Sequence, residues 1–127
     1  MVKPNLTSRI YDDMDPQLLQ FIKKYVDSFI KWDLLLFFHK NPHTIDTVDN
    51  IARYAGRDPE IVGEELSELA TRGILRETKM GDLVIYALNT SPKIQEQLMR
   101  FVEASEDQQF RVRATYHVIR DIRNRKR

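Results

Sequence analysis

Few residues of this 127-residue chain are suited to catalysis or to metal binding. Cysteine is absent, so thiolate nucleophiles, thiolate metal sites and disulfides are excluded. His39 and His43 are four positions apart, but Pro42 interrupts any helix that would bring their rings to one face. Asp12 and Asp13 lie in a polar stretch and are more typical of solvated charge than of an acid pair. We therefore expect no enzyme activity, no cofactor and no metal site.

Cationic and hydroxyl side chains between residues 53 and 79 are the better candidates for a binding function. Arginine and lysine can bind phosphates, and serine, threonine and arginine can form hydrogen bonds with base edges. The candidate DNA contacts are Arg53, Tyr54, Arg57, Ser67, Thr71, Arg72, Arg76 and Lys79. However, residues 51–92 hold five basic and seven acidic side chains. Glu60, Glu64 and Glu68 share a helix side with the hydroxyls, so a solvated acidic face remains an alternative.

The C-terminal end is the most basic part of the chain. Residues 111–127 hold seven basic side chains and one acidic side chain, a net charge of +6, whereas the whole chain carries +1. Such a run can neutralise phosphates without reading sequence. It can equally be a solvated helix end that the helix dipole favours. Both interpretations stay open, and the near-neutral total excludes a protein that simply coats nucleic acid.

Apolar spacing and turn residues predict a mainly α chain with a small β-hairpin, hence an α+β class. Residues 1–14 are polar and are interpreted as an N-terminal arm. Asp15 and Pro16 begin a helical pattern that continues to residue 40. Because Ser28 could cap a new helix, this region is either one long helix or two helices with a kink. With 42% apolar residues, the chain is long enough for one domain with a real core.

Two short helices are predicted next, over 48–55 and 58–72, with only Gly56 and Arg57 between them. Glycine suits a left-handed helix end, and Asp58 followed by Pro59 suits a helix start. Two helices joined this tightly must cross at a steep angle. The inward stripe of the second helix is expected to consist of Ile61, Val62, Leu66, Leu69 and Ala70.

Apolar runs on either side of Gly81 predict an antiparallel hairpin, which completes a domain over residues 15–90. Residues 91–127 are predicted as a helical dimerisation segment with a basic tail. This segment is either one continuous helix or two, since Ser105 and Gln108 have the spacing of a capping box. Apolar residues at three- and four-residue spacing are the candidate dimer contacts: Leu98, Phe101, Val112, Tyr116, Ile119 and Ile122.

The stretch IARYAGRDPEIVGEELSELATRGILRET, residues 51–78, resembles the helix-turn-helix and first wing strand of winged-helix transcriptional regulators. Ile51 and Ala52 resemble the "IA" of their second helix. The run from Leu66 to Leu75 resembles their recurrent pattern L-x-x-L-x-x-x-G followed by two hydrophobic residues. Residues 37–42 are similar to the L-x-x-N-P close of their first helix. The likeness covers about 32–88.

The resemblance implies that the helix over 58–72 enters the major groove and that the wing contacts the backbone or the minor groove. It also implies dimerisation through an extra terminal helix. We therefore predict a DNA-binding transcriptional regulator that acts as a homodimer, with double-stranded DNA and a second copy as its partners. The alternative is a winged-helix protein–protein interaction module that does not bind DNA through its third helix, because this fold serves both functions.

The sequence also suggests where the protein resides. The segment MVKPNLTSRIYDDMD lacks the apolar stretch of a signal peptide. No uninterrupted apolar run, Leu34–Phe38 included, is nearly long enough to span a bilayer. We expect a soluble, cytoplasmic protein.

Overall fold

The computed structural model describes residues 14–125, and within them six helices and three strands. The elements in chain order are α1 (Pro16–Tyr25), α2 (Phe29–Lys40), β1 (Ile45–Thr47), α3 (Val48–Ala55), α4 (Pro59–Thr71), β2 (Leu75–Met80), β3 (Leu83–Leu88), α5 (Pro92–Ala104) and α6 (Gln108–Arg125). Residues 1–13 of the predicted arm lie outside the described residues. Met14, the last residue of that arm, is buried in the core.

The region 16–40 is two helices, so the second of the two alternatives holds. The Asp15 carboxylate accepts hydrogen bonds from the backbone N–H groups of Gln17 and Leu18, which starts α1. The Ser28 hydroxyl accepts from the Lys31 N–H at 3.1 Å and starts α2. Because each side chain satisfies N–H groups that a helix start leaves unpaired, the chain can turn at residues 26–28 without losing those bonds.

Helices α3 and α4 form the tight helical pair that the sequence predicts. α3 ends at Gly56, whose φ of 68° is in the left-handed region that glycine tolerates best. α4 begins two residues later, where the Asp58 carboxylate accepts from the Glu60 N–H at 2.9 Å and Pro59 occupies the first turn. The connection is too short for the two helices to lie side by side.

The three strands form one antiparallel sheet in the order β1-β3-β2. Strand β3 pairs with β2 over its whole length, and the hairpin tip joins Met80 to Leu83 through Gly81, whose φ is 63°. The short β1 pairs on the other edge, with Ile45 opposite Ala87. The order helix, strand, helix-turn-helix and hairpin is the winged helix-turn-helix arrangement, and the α+β class is confirmed.

The core lies between α2, α4 and the terminal helices. Leu34 and Phe38 of α2 belong to the same buried cluster as Leu66 and Leu69 of α4, and all four are fully buried. Burial of leucine and phenylalanine side chains contributes roughly 1.5–3 kcal/mol each, so these contacts fix the position of α4.

The C-terminal region is also two helices, α5 and α6, with a break at residues 105–107. Ser105 ends α5, and its hydroxyl donates to the Phe101 carbonyl at 2.8 Å. The predicted capping box was therefore wrong in assigning Ser105 to the start of the next helix. Among the described residues, no helix is both long and apolar enough to cross a membrane.

Candidate nucleic-acid interface

The outer face of α4 is a row of four exposed side chains, which we call the crest: Glu60, Glu64, Ser67 and Thr71. Their spacing of four, three and four residues places them on one line along the helix. Val62 and Leu69 on the opposite side are fully buried. Within residues 14–125, therefore, the crest is not covered by the terminal helices.

Ile61 corrects the predicted inward stripe, because its side chain is 44% exposed. Each residue turns the helix by about 100°, so Ile61 lies at the edge of the arc centred on Val62 and Leu69. Glu65, on the same side of that arc, is buried instead. The sequence suggested the reverse, since isoleucine is apolar and glutamate is charged.

One crest hydroxyl donates its hydrogen within α4 itself. The Thr71 hydroxyl donates to the Ser67 carbonyl at 3.0 Å. Burial and the charge of the nearby Glu77 carboxylate raise the pKa of Tyr86, so this phenol stays protonated. With the Thr71 hydrogen engaged and two carboxylates in the same row, the crest faces outward mainly with hydrogen-bond acceptors.

The candidate cations near the turn between α3 and α4 differ in their partners. Arg53 is exposed and donates to the Asn50 side chain at 2.9 Å. Arg57 is exposed but forms an ion pair with Asp33 of α2. Tyr54 is exposed, and its ring stacks on Phe37 with 6.0 Å between centroids. Among these groups, Arg53 therefore remains the cation best placed for a phosphate.

Arg72 does not point along the crest. Its guanidinium donates to Asp27 at 2.8 Å and to Glu68 at 3.3 Å, and its other nitrogen donates to the Lys24 carbonyl at 3.1 Å. These contacts tie the end of α4 to the end of α1. Because its guanidinium is held by the protein itself, Arg72 is less available for a DNA contact than the sequence suggests, and that contact stays a prediction.

Lys31 is the centre of a buried charged cluster that sequence reasoning missed. It is fully buried, and its ammonium group lies 2.7 Å from Asp27, 2.5 Å from Glu65 and 3.1 Å from Glu68. We call these four residues and Arg72 the buried charge network. Asp27 and Lys31 have the spacing of a helical ion pair, which was the one signal available in the sequence. Glu65 and Glu68 are too distant along the chain to be read from any pattern.

The buried charge network is balanced by its own cations. Burial on its own would raise the pKa of Asp27, but hydrogen bonds from Arg72 and Lys31 outweigh it and lower that pKa. Carboxylate oxygens of Asp27, Glu65 and Glu68 lie within 4.8 Å of one another, a spacing that could suit a metal ion. The Lys31 ammonium donates to all three, so it supplies the positive charge there.

The hairpin carries the remaining candidate cations, Arg76 and Lys79, and both are exposed on β2. Beyond them the tip is apolar, since Met80 and Leu83 are paired across the strands and are exposed. Successive strand residues point to opposite faces of the sheet, so Arg76 and Lys79 leave β2 on opposite faces, and Lys79 shares its face with Glu77.

The predicted dimer contacts divide into two groups. Leu98 and Phe101 are only 1% and 0% exposed within the single chain, so they belong to its core and the assignment to a dimer seam is corrected. Val112 and Ile119 on α6 are 56% and 46% exposed. Tyr116 and Ile122, also on α6, are half-buried. The break after α5 separates two apolar faces that look continuous in the sequence.

No protein-family model matches the sequence, and no curated protein is detectably similar to it. Among solved structures, the crystal structure of the antimony-specific transcriptional repressor AntR is similar to this chain, with a TM-score of 0.54 and 23% sequence identity. The match covers 85% of this chain and 98% of that chain. This chain has the winged helix-turn-helix fold.

Proposed function

We propose that this protein is a DNA-binding transcriptional regulator that places α4 in the major groove. The observation that carries the proposal is the open crest, together with the exposed cation Arg53 on α3 and the exposed cations Arg76 and Lys79 on the hairpin that follows α4. A helix is the element that the major groove admits, and flanking cations fix its register through phosphates. The fold-level similarity to a transcriptional repressor supports the same function.

The chemistry of the crest favours particular bases. Glu60 and Glu64 present carboxylate acceptors, and the Thr71 hydroxyl presents an oxygen whose hydrogen is already donated. In the major groove the hydrogen-bond donors are the amino groups of cytosine and adenine. We expect α4 to prefer sites with these amino groups beneath the crest. Carboxylates next to guanine O6 and N7 would face acceptors and would be repelled.

Electrostatics contribute modestly to this binding. The three exposed cations Arg53, Arg76 and Lys79 can each neutralise about one phosphate, whereas Arg57 and Arg72 are held in ion pairs within the chain. The slope of log K against log salt should therefore be about −3 per protomer, or about −6 for a dimer. Base contacts and shape must supply much of the remaining affinity.

The proposed functional unit is a homodimer in the cytoplasm, joined through the outer side of α6. Val112, Tyr116 and Ile119 are spaced by four and three residues, which puts them on one stripe of that helix. A two-fold pair of this kind would place two α4 helices at half-sites about one DNA turn apart. We do not propose that this protein responds to antimony as AntR does. A soft metal favours thiolate ligands, and this sequence has no cysteine to supply them.

The test is selection of duplexes from a random library, followed by binding titrations with the wild type and with Glu64→Gln. We expect an enriched motif rich in adenine or cytosine at the crest positions. Glu64→Gln should change the preference at one position, since an amide can donate as well as accept. Glu103→Gln is the matched control, because it removes the same charge from an exposed site on α5.

Wild-type protein that enriches no motif above the random background would refute DNA recognition through α4. An enriched motif that Glu64→Gln and Glu103→Gln leave equally unchanged would refute the role of the crest. In the second case DNA binding itself would survive.

A further inference from the structure

We propose that the cleft between α1 and α5 binds a small organic anion and that α1 transmits its occupancy to α4. The cleft has a volume of about 550 Å³, which is within the usual range for small-molecule sites. All of its lining residues belong to α1 and α5, and none belongs to α4. Neither the proposed DNA contacts nor the proposed dimer stripe uses its lining residues.

The floor of the cleft is aromatic and rigid. Phe21 and Tyr25 of α1 line it, with their ring centroids 4.9 Å apart. Phe21 also stacks on Phe101 of α5 at 5.0 Å, and both rings are buried. Such a floor is preformed, so a flat ligand would not have to order it.

The walls of the cleft are cationic. Lys24, Lys93 and Arg100 line it, against the single carboxylate of Glu96. Among the described residues, neither Lys24 nor Lys93 forms an ion pair, and Lys24 lies 5.1 Å from the centroid of the Tyr25 ring. The three cations of the cleft outnumber its one carboxylate, and this excess of positive charge in a concave site favours an anionic ligand.

Arg100 closes one side of the cleft. Its guanidinium donates to the Gln17 side chain and lies 3.7 Å from the Asp15 carboxylate, so it bridges α5 to the first turn of α1. Because Arg100 is already engaged by these two side chains, a ligand anion would bind mainly to Lys24 and Lys93. The ligand class that fits is a carboxylate or a phosphate ester on a flat, unsaturated body of small-molecule size.

A direct path leads from this cleft to α4. The Lys24 side chain lines the cleft, while the Lys24 carbonyl accepts from Arg72 at the end of α4. Three residues later, Asp27 binds both Arg72 and Lys31. A ligand that pulls on the last turn of α1 therefore acts on contacts that hold the end of α4. The consequence for DNA affinity rests on the proposed function, but the binding site itself does not.

Binding can be measured without DNA, so a failure of the proposed function leaves this test intact. We would titrate benzoate and phenyl phosphate, with benzamide as a neutral analogue, by calorimetry and by NMR of backbone and arginine side-chain N–H groups. The affinity should lie in the millimolar range, since these probes have few atoms. Benzamide should bind at least about tenfold more weakly, because it lacks the charge.

The decisive variant is Lys24→Gln combined with Lys93→Gln, which should weaken the binding of both anions at least about tenfold. Lys23→Gln combined with Lys40→Gln removes the same total charge from exposed sites outside the cleft and should leave the affinity within about twofold. The stronger of benzoate and phenyl phosphate then identifies the preferred anion.

Equal binding of benzamide, equal losses in both double variants, or no saturable binding would overturn the site. Saturable binding that leaves the Arg72 side-chain N–H signal unchanged would overturn the transmission to α4.

Discussion

Replacing Lys31 by methionine tests whether the buried charge network holds α4 in place. Methionine keeps the length and apolar character of the lysine stem but removes the ammonium group. Three carboxylates would then share one remaining cation, Arg72. Because their oxygens lie within 4.8 Å of one another, the repulsion among Asp27, Glu65 and Glu68 would act at close range.

The expected loss of stability follows from the burial of the partners. Removing one member of a fully buried ion pair costs about 3–5 kcal/mol, because the other charge is left uncompensated. Lys31 is completely buried and the side chains of Asp27 and Glu65 are 12% and 11% exposed, but that of Glu68 is 40% exposed and can reach water. We therefore expect Lys31→Met to lower the free energy of unfolding by about 3 kcal/mol at neutral pH.

The assay is urea unfolding followed by the fluorescence of Trp32, the single tryptophan of the chain. Lys40→Met, on an exposed site of the same helix, is the control and should change the free energy of unfolding by less than about 0.5 kcal/mol. The loss should shrink as pH falls towards 3. A lowered Asp27 pKa gives stability that is complete above the unfolded value near 3.8 and disappears as the carboxylate is protonated.

A loss of less than about 1 kcal/mol at neutral pH would refute the reasoning, since it would mean that the carboxylates do not depend on this ammonium group. A large loss that is independent of pH would attribute the effect to packing rather than to charge.

Three further predictions concern other parts of the molecule. If the proposed homodimer forms, Ile119→Asp should convert it to monomers in analytical ultracentrifugation, because it places a charge in the proposed α6 stripe; an intact dimer would exclude that stripe. Arg53→Ala should weaken binding to all duplexes alike and reduce the salt slope by about 1, as titrations at two ionic strengths would reveal, whereas a changed sequence preference would contradict a phosphate contact. Burial and the charges of Lys23 and Arg120 lower the pKa of His117, so stability should be constant above pH 6.5 and decrease below it, by at most about 1.4 kcal/mol per pH unit. In His117→Gln this decrease should vanish in unfolding curves recorded between pH 7.5 and 5, and an unchanged pH profile would reject the assignment.

The predictable part of the fold is the part that local signals encode. Asp15, Ser28 and Asp58 start helices as their side-chain chemistry suggests, and Gly56 ends one. The hairpin is likewise predicted by two apolar runs on either side of Gly81, and the two strands pair as expected. The helix ends and the hairpin turn each depend on residues within about four positions of one another, which is the range over which a single sequence is informative.

The sequence-based predictions fail where contacts between residues distant in the chain determine which side chains are buried. Lys31 lies in a helix that is otherwise rich in apolar residues, and only the approach of Glu65 from α4 makes its burial possible. Leu98 and Phe101 look like a continuation of the α6 stripe, but the break at residues 105–107 directs them into the core. No spacing rule can anticipate a contact between side chains that are thirty positions apart.

The crest has one consequence for how this protein can change. In the part of the chain that the structure describes, the side chains of Glu60, Glu64 and Thr71 form no hydrogen bond or ion pair with another element. Substitutions there should be nearly neutral for folding. A few substitutions at surface residues of α4 can therefore change which sequence the helix binds, while the stability of the fold is retained.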